Sequence, residues 1–361
     1  MKQKLLTIVI PTYNRGEVIP YTLSLLHDQV VRNSDEVELV VCNNASTDCT
    51  AEVLCSLLET EQWFRCVNYS EHVNIDYSIL RSIENANGKF FWLFGDDDIP
   101  SPAIVETLLN SLKKYPQIGL LTFNSLTGES DYSLQLRNLN VKDSVYSYDE
   151  IVYTESKLFT EKYYGRMGFL SVDVVRTEVW HKGLKNFDPN HEGYSFLTVM
   201  HSGAIGYDCL YIEYPLCIQR CVLKGGNDHE FSNADLGIYQ FVGIPRILKR
   251  LEELGAIDSW RKCFDCYSPG LFDGWYYRIV TAMAKDPQKY SKYYDEIVEY
   301  QSNKKRISDT KKLFASIGKP TFMLIYHRIL LKAKGGLPYL LSELKKEYKT
   351  LKKKVKKILK K

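Results

Sequence analysis

The chain of 361 residues has no long hydrophobic run. A membrane-spanning helix needs about 18 or more consecutive apolar residues, and no stretch reaches that length, so we expect no transmembrane helix. Near the N-terminus the apolar run Leu5–Ile10 covers only six residues and ends at Pro11. It is too short for the hydrophobic region of a secretory signal. We therefore expect a cytoplasmic protein.

The sequence also lacks an ordered cysteine pattern and a strong net charge. Nine cysteines are scattered along the chain, and the CxxC pair Cys263 and Cys266 has no second pair at zinc-finger spacing. We expect reduced thiols rather than a disulfide or metal framework. The net charge is only +3, although residues 340–361 hold ten Lys and two Glu. The remaining chain is net negative, which argues against nucleic acid as a partner.

The first 125 residues do contain strand-like apolar runs that alternate with helix-like segments. The predicted strands are Leu5–Ile10, Val37–Cys42, Phe64–Tyr69 and Phe90–Phe94, and the helices cover about 17–31, 49–59 and 77–85. This alternation predicts an α/β fold, a mostly parallel sheet with helices on both faces. Such sheets bind ligands at the carboxyl ends of their strands. Polar segments follow three of these ends: Pro11–Arg15, Asn43–Asp48 and Asp96–Asp98.

The acidic triplet Asp96–Asp98 directly follows the apolar run Phe90–Phe94 and Gly95. Three adjacent carboxylates repel one another and raise each other's pKa, and a divalent cation relieves that cost. On an extended backbone, Asp96 and Asp98 would point to one side and Asp97 to the other. Carboxylate oxygens suit Mg²⁺ or Mn²⁺, with phosphate oxygens completing the coordination. The alternative is an acidic turn that precedes a helix near Pro102.

Beyond residue 125 the pattern is less regular. Ile118–Phe123 and Tyr211–Arg220 predict strands, Tyr163–Ser171 predicts a strand that returns over the site, and residues 126–150 are polar and irregular.

From about Leu236 onward the sequence pattern predicts mostly helix. Its last segment, 336–361, is a basic amphipathic helix that suits an anionic membrane surface. The same spacing fits a coiled coil, which would make a homo-oligomer, or a solvated tail.

Taken together, the motifs resemble the family 2 glycosyltransferases of the GT-A fold, a Rossmann-like fold. The residues that carry the resemblance are Ile8–Arg15, Asn43–Asp48, Asn74, Ala86–Gly88 and Asp96–Asp98. It is specific over 5–125, loose over about 165–225 and absent beyond about 240. Within the family, the sequence is most similar to bacterial enzymes that build surface polysaccharides such as lipopolysaccharide O-antigen or capsule.

The resemblance implies three parts of the chain. A GT-A domain would cover 1–235, with a nucleotide-sugar half at 1–125 and an acceptor half at 126–235. A helical C-terminal region would cover 236–335, and the basic helix would follow at 336–361.

The resemblance also implies roles for individual residues. The nucleotide-sugar would contact Pro11, Thr12, Tyr13, Asn14, Arg15, Asn43, Asn74, Asp96 and Asp97. The cation would be held by Asp96 and Asp98, with His229 as a further candidate ligand. In the nucleotide-sugar half, two positions depart from the family pattern: Asn43 replaces an aspartate that reads uracil, and Asp76 replaces the glycine of Asn-x-Gly. An amide can pair with uracil or, rotated, with cytosine. UDP is therefore the expected donor nucleotide, with thymidine and cytidine open.

An inverting transfer needs a carboxylate that accepts the proton of the acceptor hydroxyl. The family carries this base in an acidic pair that opens a helix, and Glu192 matches the first acid of the pair. Gly193 stands where the second would be. Glu192 is therefore our candidate base, with Asp188 as the alternative.

The implied function is metal-dependent, inverting transfer of a sugar from a nucleoside-diphosphate donor to a lipid-linked glycan. Such an enzyme would sit on the inner face of the cell membrane. One alternative is a sugar nucleotidyltransferase, although the first strand is not followed by a glycine-rich basic loop. The other is a nucleotide- or glycan-binding scaffold without activity, for which the missing acid at Gly193 is an argument.

Overall fold

The computed structural model describes residues 3–128, 149–189, 194–220 and 242–267, together with 238, 291–293, 296, 299 and 300. The chain divides into two compact units. One comprises Met1–His229 with Arg246–Cys263, and the other Glu230–Pro245 with Phe264–Lys361. The domain limits expected near 235 and 335 stay predictions, and the basic segment 336–361 lies outside the described residues.

One sheet of nine strands forms the centre of the first unit. The strands are β1 Leu6–Thr12, β2 Val37–Asn43, β3 Arg65–Asn68, β4 Phe90–Leu93, β5 Ile99–Pro100, β6 Leu120–Gly128, β7 Glu150–Tyr153, β8 Asp173–Arg176 and β9 Cys209–Arg220. Their order in the sheet is β3-β2-β1-β4-β8-β6-β9-β5, and β7 pairs with β9.

The helices of the described residues lie between these strands, except for the last two, which follow β9. They are α1 Ile19–Arg32, α2 Thr50–Thr60, α3 Ile75–Ile83, α4 Ile104–Lys114, α5 Ser156–Met167, α6 Thr177–Gly183, α7 Ser195–Gly203, α8 Ile244–Glu253 and α9 Trp260–Tyr267. Short 3-10 helices occur at Leu170–Val172, Leu184–Asn186 and Ser291–Tyr293. Within these parts of the chain, no helix has the length and apolarity that crossing a lipid bilayer requires.

The predicted α/β architecture is confirmed. Strands β3, β2, β1 and β4 are parallel neighbours, and helices connect them. Beyond β4 the sheet is mixed, because β8 inserts antiparallel between β4 and β6. The parallel half matches the sequence pattern closely, since strands buried on both faces read as continuous apolar runs.

The core explains why these segments form these elements. All four residues of β4, Phe90–Leu93, are buried, as the uninterrupted apolar run predicts. Helix α1 buries Ile19, Leu23, Leu26 and Val30, whose spacing places them on one face of the helix. These residues belong to one hydrophobic cluster with the strands of the sheet.

One predicted element is wrong. Tyr163–Ser171 was expected to form a strand, but α5 continues to Met167 and a 3-10 turn follows at Leu170–Val172. The tyrosines favour a strand locally. In the fold, Phe159 and Tyr163 are instead buried one helical turn apart on α5, so packing overrides the local preference. The returning strand is β8, which begins at Asp173.

Candidate active site

The loops after the parallel strands lie at one edge of the sheet. Pairing aligns Thr12 at the end of β1 with Asn43 at the end of β2, and Asn43 with Asn68 at the end of β3. Gly95 and the three aspartates follow β4 at the same edge. There the Thr12 hydroxyl donates a hydrogen bond of 2.6 Å to Oδ2 of Asp96. The polar motifs that the sequence singled out therefore meet in one place.

The segment Asp96–Asp98 forms a turn, which we call the acidic turn. The N–H of Asp98 donates to the carbonyl of Gly95 at 3.4 Å, as in a four-residue β-turn. The extended backbone expected here is therefore wrong. Alternation of side chains applies only to strands, so the three carboxylates contact different partners instead of sharing two sides.

Arg15 is the cationic neighbour of the acidic turn. Its Nε lies 3.5 Å from Oδ1 of Asp96, and its Nη2 lies 4.0 Å from Oδ2 of Asp97. The Asp97 side chain is 23% exposed and the Asp96 side chain 12%. Asp97 is thus the more accessible of these two carboxylates. Both lie beside the positively charged guanidinium of Arg15.

Asp98 faces the protein interior and is only 3% exposed. Its Oδ2 accepts a hydrogen bond of 2.5 Å from Oγ of Ser171, and its Oδ1 accepts one of 3.3 Å from the backbone N–H of Arg220. Its backbone carbonyl also accepts from the Thr22 hydroxyl at 3.4 Å. Fixed donors from three distant segments therefore hold Asp98 in place.

Burial and mutual repulsion shift the pKa values of the acidic turn. Burial, followed by the charge of Asp97, raises the pKa of Asp96 to about 7 and that of Asp98 to about 8. Arg15 and the Thr12 hydroxyl act in the opposite direction on Asp96. A divalent cation beside these groups would favour their ionised forms further.

The donor set fits a hard divalent cation, although the described residues contain no preassembled cluster of three or more metal-binding side chains. Carboxylate oxygens are the ligands that Mg²⁺ and Mn²⁺ take. Asp96 and Asp97 lie at the sheet edge where ligands of such folds bind. The acidic turn therefore has the chemistry of a cation site that would also need ligands from a bound molecule or from water.

The predicted nucleotide loop Pro11–Arg15 is tied to the loop after β2. Pro11 and Thr12 end β1, and Asn14 then adopts a left-handed backbone with φ 52°, which asparagine tolerates. The N–H of Asn14 donates to Oγ of Ser46 at 2.9 Å, and the N–H of Thr47 donates to Oδ1 of Asn14 at 2.8 Å. These bonds fix the shape of the loop.

Tyr13 forms an aromatic pair with His72 beside this loop. Their ring centroids are 4.3 Å apart, with planes inclined by 47°. His72 is an exposed residue of the segment between β3 and α3. No sequence pattern points to His72, because an isolated histidine in a polar loop belongs to no motif. Aromatic faces of this kind can stack on a planar base.

Asn43 is buried, and its amide is occupied by protein groups. Its Nδ2 donates to Oδ1 of Asn68 at 2.8 Å, and its Oδ1 accepts from the N–H and the hydroxyl of Ser46 at 3.1 and 2.6 Å. The next residue, Asn44, has no role that the sequence motifs predict. Its amide donates to the carbonyl of Val73 and accepts from its N–H at 2.8 and 3.2 Å. The asparagines thus join neighbouring loops.

Asn74 and Asp76 have structural contacts that the motif did not specify. Asn74 is the N-cap of α3, because its Oδ1 accepts from the N–H of Tyr77 at 3.1 Å. Asp76 accepts a hydrogen bond of 2.9 Å from the N–H of Ser195, the first residue of α7. An aspartate in place of the glycine of Asn-x-Gly therefore connects α3 to the second half of the domain.

The candidate base and the candidate histidine ligand, Glu192 and His229, lie outside the described residues. The alternative base, Asp188, is described, and its backbone carbonyl accepts from the Ser195 hydroxyl at 2.6 Å. The segment that precedes α7 is thus bonded to the start of that helix. The roles of Glu192, Asp188 and His229 stay predictions.

Arg220 ends β9 next to the acidic turn. Its guanidinium carbon lies 5.5 Å from the ring centroid of Tyr21, and its Nη1 is buried with no hydrogen-bond partner among the described residues. A buried guanidinium nitrogen in this setting suits an anionic ligand.

Comparisons with known proteins agree with this geometry. The model of the family "Glycosyl transferase family 2" matches residues 7–172. The chain is 30% identical over 240 residues to abequosyltransferase RfbV of Salmonella typhimurium, covering 62% of this chain and 68% of that protein. It is 24% identical over 161 residues to glycosyltransferase GlyA of Streptococcus pneumoniae, covering 40% of this chain and 22% of that one.

A solved structure shares the fold. It is S. aureus TarS, residues 1–349, in complex with UDP-GlcNAc, with a TM-score of 0.54 and 11% identity over 90% of each chain.

Proposed function

This chain belongs to glycosyl transferase family 2 and is a glycosyltransferase, and from this premise we propose its reaction. It moves a sugar from a nucleoside-diphosphate donor to a hydroxyl of a lipid-linked glycan, in the assembly of a bacterial surface polysaccharide. The transfer is a single displacement that inverts the anomeric carbon, and it depends on Mn²⁺ or Mg²⁺. Membership of this family favours glycosyl transfer over the nucleotidyltransferase and scaffold alternatives.

The proposal rests on one observation above all, the contact between the nucleotide loop and the acidic turn. The Thr12 hydroxyl bonds to Asp96 at 2.6 Å, and Arg15 lies beside Asp96 and Asp97. A donor whose nucleoside lies along Pro11–Arg15 would have its diphosphate next to the carboxylates. UDP is the proposed nucleotide, and the S. aureus relative, which was solved with UDP-GlcNAc, supports this choice.

The cation would be held by Asp96 and Asp98 as the sequence predicts, with His229 as a further ligand. The exposure of Asp97 supports adding its carboxylate to the set. When bound, the ion would neutralise charge on the departing nucleoside diphosphate. Arg15 and Arg220 would contribute positive charge to the same oxygens, because a guanidinium group can donate two hydrogen bonds to a phosphate.

Glu192 is the proposed general base, with Asp188 as the alternative. The base would accept the proton of the acceptor hydroxyl while that oxygen attacks the anomeric carbon. The hydrogen bond from Ser195 to Asp188 and that from Ser195 to Asp76 support a fixed position for the start of α7, which follows Glu192 by three residues.

A peripheral location on the inner face of the cell membrane would bring the enzyme to a lipid-linked acceptor. The basic helix 336–361 would supply the contact, since lysines near an anionic surface contribute about 1 kcal/mol each in favourable cases. Pairing of this helix in a homo-oligomer is the alternative. The proposed division of the chain is a GT-A domain at 1–235, a helical region at 236–335 and the basic helix.

The deciding experiment is a thermal-shift panel of UDP-, CDP-, GDP- and dTDP-sugars and of the free nucleoside triphosphates, with Mn²⁺ and with EDTA. A ligand that binds only the native state raises its apparent stability by mass action. We expect a UDP-sugar to raise the melting temperature only when Mn²⁺ is present. Stabilisation that is equal in EDTA would contradict the metal dependence, and stabilisation by a nucleoside triphosphate alone would favour the nucleotidyltransferase.

A further inference from the structure

The Ser171 side chain connects the acidic turn to the second half of the domain. Ser171 lies in the 3-10 turn Leu170–Val172 and is fully buried. Its hydroxyl donates to Oδ2 of Asp98 at 2.5 Å and accepts from the N–H of Gly95 at 2.7 Å. One hydroxyl thus binds both the residue before the acidic turn and its last carboxylate, across 73 residues of sequence.

The core of the sheet fixes the position of Ser171. The indole N–H of Trp92 donates to the carbonyl of Ser171 at 2.9 Å, and Trp92 is itself buried in β4. The strand that follows, β8, pairs with β4, and this pairing aligns Trp92 with Val174. The hydroxyl is therefore held by the strand from which the acidic turn emerges.

The packing around Gly95 leaves little freedom for this arrangement. A Cβ atom at Gly95 would lie 2.5 Å from Oδ2 of Asp98 and 3.2 Å from Oγ of Ser171. The carboxylate, the hydroxyl and the glycine backbone thus fill one small space. With Asp98 drawn inward, Asp97 keeps 23% exposure and Asp96 faces Arg15.

We propose that Ser171 is a positioning residue of the sugar transfer, which holds Asp98 and orients the acidic turn so that its carboxylates can bind the cation. This inference rests on the proposed cation site. Loss of the hydroxyl would leave the Gly95 N–H and Asp98 Oδ2 without a partner in a buried place, which is costly enough to displace the turn. The residue acts through Asp98 and Gly95 and needs no contact with substrate.

Binding of Mn²⁺ to the full-length protein, measured by electron paramagnetic resonance of the free ion in the presence of UDP, tests the proposal. We expect Ser171→Ala to raise the Mn²⁺ dissociation constant about 10-fold. Ser171→Cys, whose thiol is a weak hydrogen-bonding group, is a second variant that keeps a polar atom in place. It should change the constant in the same direction.

The matched control is Ser82→Ala. Ser82 is an equally buried serine of α3 whose hydroxyl donates to the carbonyl of Ser78 at 2.6 Å, and it has no contact with the acidic turn. It should lose thermal stability while keeping the wild-type affinity for Mn²⁺. Wild-type affinity in both folded Ser171 variants, or an equal loss in Ser82→Ala, would overturn the proposal. Absence of Mn²⁺ binding by the wild type would instead overturn the cation site itself, and this inference with it.

Discussion

The backbone N–H of Ser195 donates a hydrogen bond of 2.9 Å to Oδ1 of Asp76, across 119 residues of sequence. The donor is the first residue of α7, and the acceptor belongs to the first turn of α3. The bond satisfies an N–H at the start of α7 and places a negative charge at the positive end of that helix. It joins α3 to the helix that follows the candidate base.

Asp76→Ala should therefore destabilise the protein by about 1–2 kcal/mol, the usual cost of losing such a cap. Asp76→Asn keeps an acceptor oxygen and should lose less. Urea denaturation of the two variants beside the wild type measures the difference. Equal stability of Asp76→Ala and the wild type would mean that another group, or water, replaces the carboxylate.

Asp97→Asn should lower kcat/KM by about 100-fold or more with little change in melting temperature, if the carboxylate is a ligand of the cation. The side chain is partly exposed, so removing its charge should change the free energy of unfolding little. Asp28→Asn is the control. Asp28 is an exposed carboxylate of α1 that pairs with His27, so its loss removes the same charge at another place. Full Mn²⁺-dependent activity in Asp97→Asn would remove this residue from the site.

Gly95→Ala should lose both stability and transfer activity. The added Cβ would approach Oδ2 of Asp98 to 2.5 Å, and such overpacking typically costs about 1–3 kcal/mol. Gly168→Ala is the matched control, because among the described residues its Cβ would meet only Tyr194, at an ordinary 3.7 Å. Melting curves and initial rates of both variants test this. An active, stable Gly95→Ala would show that the turn can shift without harm.

Because His201 is buried, we expect the free energy of unfolding to fall at acid pH. Burial lowers the pKa of this imidazole to about 3, below the ordinary value near 6.5, so the folded state holds it neutral while the unfolded chain can protonate it. Its contribution to stability is present above pH 6.5 and is lost as the pH falls toward 3. The slope is about 1.4 kcal/mol per pH unit.

His201→Gln should therefore flatten the decline of the unfolding free energy between pH 6.5 and 4, as measured by urea denaturation at each pH. His27→Gln is the comparison. Hydrogen bonds to Asp28 and Glu61 raise the pKa of His27, so it stabilises the fold at low pH and loses that effect as the pH rises. Removing it should leave the acid-side decline in place, and an unchanged decline in His201→Gln would contradict the prediction.

The sequence by itself determined the parallel half of the sheet. Continuous apolar runs such as Phe90–Leu93, set between amphipathic helices, have one stable arrangement, a sheet covered on both faces. The polar segments after those runs then have to lie together at its carboxyl edge, because parallel strands end on the same side. Hydrophobic periodicity and the succession of strands and helices along the chain are local properties, and a single sequence contains them.

Only the tertiary structure decided how the acidic turn is oriented. Asp98 faces inward because the Ser171 hydroxyl and the Arg220 N–H, 73 and 122 residues away, approach it from the 3-10 turn before β8 and from the end of β9. The same long-range packing turned Tyr163 into part of a helix and gave Asp76 its partner at Ser195. A residue's local pattern does not specify which distant donor will reach it, since that depends on the packing of the whole sheet.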